Sequence, residues 1–332
     1  MNLLLGVKVL MPKLNMVEAI NLALKQEMSR DKSVIVLGED VGIDGGVFRV
    51  TEGLLKKFSK SRVIDTPLSE SGIVGVSIGL AVNGLKPIAE IQFEGFMLPA
   101  FDQIVTHAAR LRNRSRGRFT VPLVIRSPYG GGIKALEHHS EAPETYYVHS
   151  PGLKVVIPST PYDAKGLLIS AIRDPDPVIF FEPKKIYRAI KQEVPEKEYS
   201  IEIGKANIVQ EGTDVTLITY GSLVRTSLKA VESLKESVEV IDLRTLSPLD
   251  VDFIIDSVSK TGRVVIVHEA PKTLGLGAEI SALINEKALL SLEAPIERVT
   301  GFDITIPLPK TEHYYFPDEK RIQIAIKKVM EF

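Results

Sequence analysis

The residues of this chain best placed to do chemistry fall in three stretches. Glu70 opens a segment in which Gly72, Gly75, Ser77, Gly79 and Ala81 stand where helices ordinarily carry larger side chains. Each interior glycine costs a helix about 0.5–1 kcal/mol relative to alanine, so the pattern needs a compensating contact. On a helix, positions 72, 75 and 79 share a face that a flat ligand or a neighbouring backbone could approach closely, with Glu70 at its lip. The same residues also read as a cap and a charge-matched first turn above a helix-packing face. His138 and His139 follow the loop Gly130-Gly131-Gly132 and stand between Glu137 and Glu141. Neighbours in sequence seldom chelate one ion together, and no third ligand lies at i,i+4 to either. One acid–base histidine beyond a mobile glycine loop is the better functional reading, level with a satisfied surface histidine. In the third stretch, Glu39 and Asp40 leave an apolar run at the end where open α/β sheets place ligand loops, and turn chemistry accounts for them equally well.

Composition narrows the choices. There is no cysteine among the 332 residues, which removes disulfides, thiolate nucleophiles and cysteine-ligated zinc. A net charge of −1 gives no global field for nucleic acid or an anionic membrane. Arg110, Arg112, Arg114, Arg116 and Arg118 alternate with small or polar residues but lack interleaved aromatics, so they read as a solvated or ion-pairing loop. Gly275-Leu276-Gly277 lacks the third glycine of a dinucleotide fingerprint, and neither a P-loop nor a GxSxG elbow occurs. The opening MNLLLGVKVLMPK has no basic n-region or small-residue cleavage site, and no apolar run reaches a membrane span. The expectation is a soluble cytoplasmic protein.

The elements that must position these residues alternate as strand and helix. Asn15 to Glu18 forms a capping box before a helix to about Ser29, and Val34–Leu37 reads as a buried parallel strand. A helix from Thr51 to Phe58, strands at 63–64, 87–93 and 122–126, and a helix opened by Pro99 and running to about Leu111 follow. Lys154–Ile157, a helix over 162–172 and Val178–Glu182 complete the first half. Charged, proline-containing sequence then marks a boundary, giving a domain over 1–185, a linker over 186–204 and a second domain over 205–332. In the second, strands at 215–219, 238–241 and 264–267 alternate with helices at 223–235, 251–259 and near 278–284, before a docking helix after Asp318. Both halves read as doubly wound α/β domains.

Several segments, in this order, carry a resemblance: DTPLSESGIVG, AEIQFEGFMLPAFDQI, VIRSPYGGG, HSPGLKVVIPSTPYDAKGLL and VTLITYGSLV. From about residue 11 onward the chain resembles the β subunit of the decarboxylating component of 2-oxoacid dehydrogenase complexes. The resemblance implies an α/β fold: a thiamine diphosphate pyrimidine-binding domain, with a parallel sheet and helices on both faces, followed by a transketolase C-terminal-like domain. It implies that Glu70 hydrogen-bonds the aminopyrimidine N1′, favouring the imino tautomer that deprotonates the thiazolium carbon, which then attacks a 2-oxo acid and accepts the electron pair as carbon dioxide leaves. Leu68, Gln92 and Phe96 would line the cofactor pocket, and His139 would assist proton transfer as the acyl group moves to lipoyl-lysine. Leu123, Ala171, Ile172, Asp174 and Asp176 match a potassium site of some members. The GDG motif that holds Mg²⁺ and the diphosphate is missing, so that half would come from an α subunit in an α2β2 heterotetramer. A dihydrolipoamide acyltransferase core, with its lipoyl domain, would be the acceptor. The run from His139 to Glu144 inclines the substrate to branched-chain 2-oxo acids, with pyruvate the alternative and a split transketolase-like subunit a rival.

Overall fold

The computed structural model describes residues 11–332, so most of the opening segment read for a leader lies outside the described residues. After a two-residue strand β1 (Lys13–Leu14), α1 (Met16–Arg30) begins at a reciprocal capping box. Asn15 Oδ1 accepts the Glu18 N–H at 3.0 Å, and Glu18 accepts the Asn15 N–H at 2.8 Å. There follow β2 (Val34–Gly38), α2 (Leu54–Phe58), β3 (Val63–Asp65), α3 (Glu70–Val82), β4 (Lys86–Glu90), α4 (Leu111–Arg114), β5 (Val124–Tyr129) and α5 (Glu144–Val148). Then β6 (Lys154–Val156), α6 (Pro161–Arg173) and β7 (Val178–Pro183) close the first alternation, and β8 (Gln192–Glu193) pairs back onto β1.

The remainder comprises β9 (Asn207–Gln210), β10 (Val215–Thr219), α7 (Leu223–Val231), β11 (Val238–Asp242), β12 (Thr245–Ser247), α8 (Val251–Thr261), β13 (Val264–Pro271), α9 (Leu276–Ala288), β14 (Glu297–Gly301) and α10 (Glu319–Met330). One sheet has seven strands in the order β12-β6-β7-β5-β4-β2-β3, parallel except for β12. The other has five, β14-β13-β10-β11-β9, parallel except for β9. Strand residues alternate between two cores. Ile88, Val124, Val178 and Phe180 pack with α1 and α6, while Ala89, Ile125, Ile179 and Phe181 face the core that includes Ile73 and Val74 of α3. Both faces of the first sheet are thus covered, as parallel strands require.

The halves interlock. β12 comes from the second half of the sequence yet pairs antiparallel with β6 at the edge of the first sheet. One cluster of buried side chains runs from Ile157 and Ile179 to Ile218, Ile241 and Leu246. Among the described residues no helix is long and apolar enough to cross a membrane.

Some elements differ from expectation. The chain leaves β4 after Glu90 rather than after Phe93, entering a 3₁₀ turn over Glu94–Met97. The helix expected from Pro99 to Leu111 is instead a turn, a π-helical segment over Gln103–Ala108 and the short α4. α2 starts only at Leu54, because Gly53 is left-handed (φ 79°) and the Thr51 hydroxyl is drawn away to the Val41 carbonyl at 2.7 Å. β9, β12 and β14 carry no period-2 signal strong enough to be seen beforehand.

Three central strands are joined by a buried ionic cluster. Arg126, 1% exposed, donates Nη1 to Glu90 at 2.7 Å and Nε to Glu182 at 2.6 Å; Tyr187 donates its hydroxyl to Glu182 at 2.6 Å. Burial pushes the Glu90 carboxyl upward against the pull of Arg126. Arg126→Met strands two carboxylates in the interior, and should cost on the order of 3–5 kcal/mol in stability, read as a lowered denaturant midpoint. Adding Glu90→Gln and Glu182→Gln should regain part of that loss; no regain would show that packing, not charge, carries the cluster.

Candidate active site

The first-sheet loops that concern chemistry leave the C-terminal ends of β2, β4, β5 and β7, where an open parallel sheet puts its ligands. Glu70 is the first residue of α3, behind Ser69, whose hydroxyl accepts the Gly72 N–H at 3.4 Å. Among the described residues its carboxyl has no hydrogen bond or ion pair within the chain. Glu39, just beyond β2, is pushed upward by burial and then by the Glu70 charge, so the loop after β2 belongs to this rim. Gln92, just beyond β4, donates Nε2 to Asp40 at 3.0 Å and ties the two loops together. Leu68 stands 78% exposed ahead of α3.

The small-residue face of α3 is only partly used inside the chain. A Cβ at Gly75 would come 3.3 Å from Gln103 Oε1 of the π-helical segment, a close approach that the missing side chain permits. Gly79 has open space around it. Among the described residues, Gly79 therefore has no neighbour that would compensate for its missing side chain.

Beside this rim lies an aromatic cluster. The His139 ring packs edge-on against Phe93 at 4.2 Å and Phe96 at 5.2 Å, and Phe48 meets Phe93 at 5.6 Å. Gly95 makes this possible, because a Cβ there would collide with the carbonyl of His138. His139 Nδ1 is buried and has no partner among the described residues. Burial first, then the charges of His138 and Lys184, lower its pKa below the ordinary histidine value. The His138 ring packs beside it and lies 3.8 Å from Glu137.

Sequence reasoning missed Phe93, Glu94 and Lys184. The Glu94 carboxylate and Lys184 ammonium form a fully buried ion pair next to Phe93, with Lys184 Nζ 5.6 Å from that ring. Burial pushes Glu94 up to about 7 and pulls Lys184 down. The spacing of Phe93 and Phe96 at i,i+3 was visible, but Lys184 lies 90 positions from Glu94 and only the strand order β4-β5-β7 brings them together.

Of the residues matched to a potassium site, Leu123, Ala171, Asp174 and Asp176 already have oxygens engaged. Leu123 O accepts the Val178 N–H at 2.9 Å and Ala171 O accepts the Asp174 N–H at 3.3 Å. Asp174 pairs with Lys154 at 2.5 Å, and Asp176 takes Arg112 of the arginine-rich segment in a two-pronged contact at 2.7 and 2.8 Å. A cation there would share its oxygens with two side-chain cations. Among the described residues no cluster of three or more histidine, aspartate or glutamate side chains could hold a metal ion.

Residues 12–190 match the transketolase pyrimidine-binding domain family, and residues 204–322 the transketolase C-terminal domain family. The chain is 58% identical over 319 residues to the pyruvate dehydrogenase E1 component subunit beta of Acholeplasma laidlawii, covering 95% of this chain and 98% of that one. It is 53% identical over 325 residues to the same-named subunit of Bacillus subtilis, covering 97% and 100%. This chain belongs to the family of 2-oxoacid dehydrogenase E1 β subunits. A solved split-gene transketolase, an inactive β4 tetramer, shares the fold of this β subunit at a TM-score of 0.77 and 20% identity, over 96% of this chain and 99% of that one. Membership implies thiamine diphosphate. The free carboxyl of Glu70 and the aromatic wall fit its aminopyrimidine half, whereas the GDG motif for a diphosphate-bound metal is absent from the sequence.

Only neutral imidazole reacts with diethyl pyrocarbonate. A lowered pKa therefore keeps His139 reactive at pH values where an ordinary histidine has already taken up its proton. Peptide mass spectrometry across a pH series should place the His139 midpoint below the ordinary value, and His138→Gln should move it upward by removing one of the charges that lower it. A midpoint unmoved by that substitution would leave burial as the main cause.

Proposed function

We propose that this chain is the β subunit of a pyruvate dehydrogenase, acting in the cytoplasm within an α2β2 heterotetramer. The α subunit holds Mg²⁺ and the diphosphate of a shared thiamine diphosphate, and the acyl group passes to the lipoyl domain of a dihydrolipoamide acyltransferase core. What carries the reading is 53–58% identity, over nearly the full length, to subunits named for pyruvate. The branched-chain expectation drawn from the His139–Glu144 run has no support among these relatives and gives way to pyruvate. The split-transketolase rival rests on a likeness of fold at 20% identity, which says nothing of substrate.

When bound, thiamine diphosphate supplies the electron sink that lets a 2-oxo acid lose carbon dioxide. The chain's own residues orient, shield and move protons. Glu70, uncommitted to any partner among the described residues, is available to share a proton at the pyrimidine N1′. Glu39 stands close enough to feel the Glu70 charge, so the lip of the pocket carries two carboxyls. Phe93 and Phe96 present apolar surface that keeps water from the reacting centre. Phe96 has no hydroxyl and so contributes packing alone. Gln92 is held by Asp40 at the pocket edge. His139, whose pKa is lowered by burial and by the neighbouring charges, is the group to pass a proton during acyl transfer. No step uses the potassium assigned by resemblance to Asp174 and Asp176.

The decisive measurement compares this chain, its α partner and the two mixed, each with Mg²⁺ and thiamine diphosphate, on pyruvate and 3-methyl-2-oxobutanoate. Decarboxylation should appear only in the mixture and run faster on pyruvate. Activity in the single chain would sink the shared-site reading, and a faster rate on the branched acid would restore the rejected substrate. In the mixture, Glu70→Gln should lower decarboxylation by about 10²–10⁴-fold while the heterotetramer stays assembled, the range expected for loss of positioned proton transfer. Unchanged activity would reduce this chain to an assembly subunit.

A further inference from the structure

The segment Gly130 to Gly132 reads in the sequence as a mobile hinge before the histidines. In the structure its backbone is firmly held, and the hold comes from the other half of the chain. The Gly131 N–H donates to Glu269 Oε2 at 3.2 Å, the Gly132 N–H to Glu312 Oε1 at 2.7 Å and the Lys134 N–H to Glu312 Oε2 at 2.9 Å. Glu269 is 6% exposed and lies near the end of β13; Glu312 is 3% exposed and begins a 3₁₀ turn before α10. The other oxygen of Glu269 is fixed by the Ser222 hydroxyl.

Side-chain packing enforces the same position. A Cβ at Gly131 would collide with the Phe316 ring, and one at Gly130, where φ is +75°, would come 2.6 Å from Glu269 Oε2. The glycines therefore serve close approach rather than freedom. At its far end the loop is tied by the Gly130 N–H donating to the Glu141 carbonyl at 3.1 Å, and His139 lies inside that closure. The 3₁₀ turn over Glu137–His139 then leaves the ring little choice but the wall of Phe93 and Phe96.

Hydrogen bonds from backbone N–H groups to a carboxylate are among the stronger kind, and both oxygens of Glu312 are used. From this we infer that Glu312, assisted by Glu269, is a positioning residue for His139. The C-terminal domain thereby sets where the proton-transferring imidazole stands. Because the inference rests on the reading of His139 as the group serving acyl transfer, Glu312 should matter for acyl transfer and not for decarboxylation.

The test uses the α2β2 enzyme with Glu312→Gln, Glu312→Asp, His139→Ala and the double variant Glu312→Gln with His139→Ala. Decarboxylation is followed with 2,6-dichlorophenolindophenol as electron acceptor, which needs no lipoyl group, and acyl transfer with an isolated lipoyl domain. Glu312→Gln, which turns one acceptor oxygen into a donor facing an N–H, should slow acyl transfer about 10–100-fold, the loss expected when a reacting group is displaced by about an ångström. Dye reduction should stay within about twofold, since only the histidine is displaced and the geometry around the pyrimidine half is left as it was. Glu312→Asp should restore part of the transfer rate, and the double variant should be no slower than His139→Ala, because a positioning residue has nothing left to position. Multiplying losses in the double variant, or equal losses in the two half-reactions, would overturn the inference. Amide hydrogen exchange over residues 130–141 of the assembled enzyme separates it from the underlying reading. If His139→Ala leaves acyl transfer intact, that reading of His139 fails. Faster exchange at 137–141 in Glu312→Gln would then still support the hold on the loop, and unchanged exchange would overturn it.

Discussion

The arrangement depends on one buried guanidinium. Arg126 lies between Glu90 and Glu182, so the chain segments leaving β4, β5 and β7 all depart from strands pinned to a common charge. The aromatic turn with Phe93 and Phe96 follows β4, the glycine loop follows β5, and Lys184 follows β7. A buried ion cluster of this kind is weak evidence of stability, because desolvation offsets much of the Coulomb attraction. Its geometric effect is stronger: with both carboxylates dependent on one cation, none of the three strands can shift register without leaving a charge unpaired.

Around that cluster the site is assembled from pieces that are individually incomplete. Glu70 has a cap behind it but no partner ahead among the described residues. His139 has an aromatic wall on one side and a buried unpartnered nitrogen. Part of the glycine face of α3 is open. Each is a feature that costs free energy in the isolated chain and that a bound aminopyrimidine, an acyl-bearing partner or a second subunit would relieve. A site shared across a subunit boundary, as proposed above, would account for a rim of this kind.

The second half of the chain is more than an attached module. β12 completes the edge of the first sheet, a single apolar core crosses between the halves, and Glu269 and Glu312 hold the loop that carries the histidines. Long-range contacts of this kind leave no local trace. The β12 residues Thr245 to Ser247 form too short a run to register as a strand, and a glutamate 180 positions from Gly132 carries no hint of its partner.

What the sequence by itself determined was whatever depends on neighbours along the chain. The Asn15 capping box, the alternation of buried strands with helices, the cap that opens α3 at Glu70 and the ordered family segments all rest on local pattern, and the fold class and family follow from them. The lack of a motif for diphosphate and metal was equally legible. Tertiary structure decided the rest. It placed Gln92 on Asp40, Lys184 beside Phe93 and Arg112 on Asp176, and it turned a glycine loop that reads as mobile into one clamped by distant carboxylates. The physical reason is the same in each case. A charge or a glycine is judged by what lies across from it, and what lies across is chosen by strand order and packing rather than by adjacent residues.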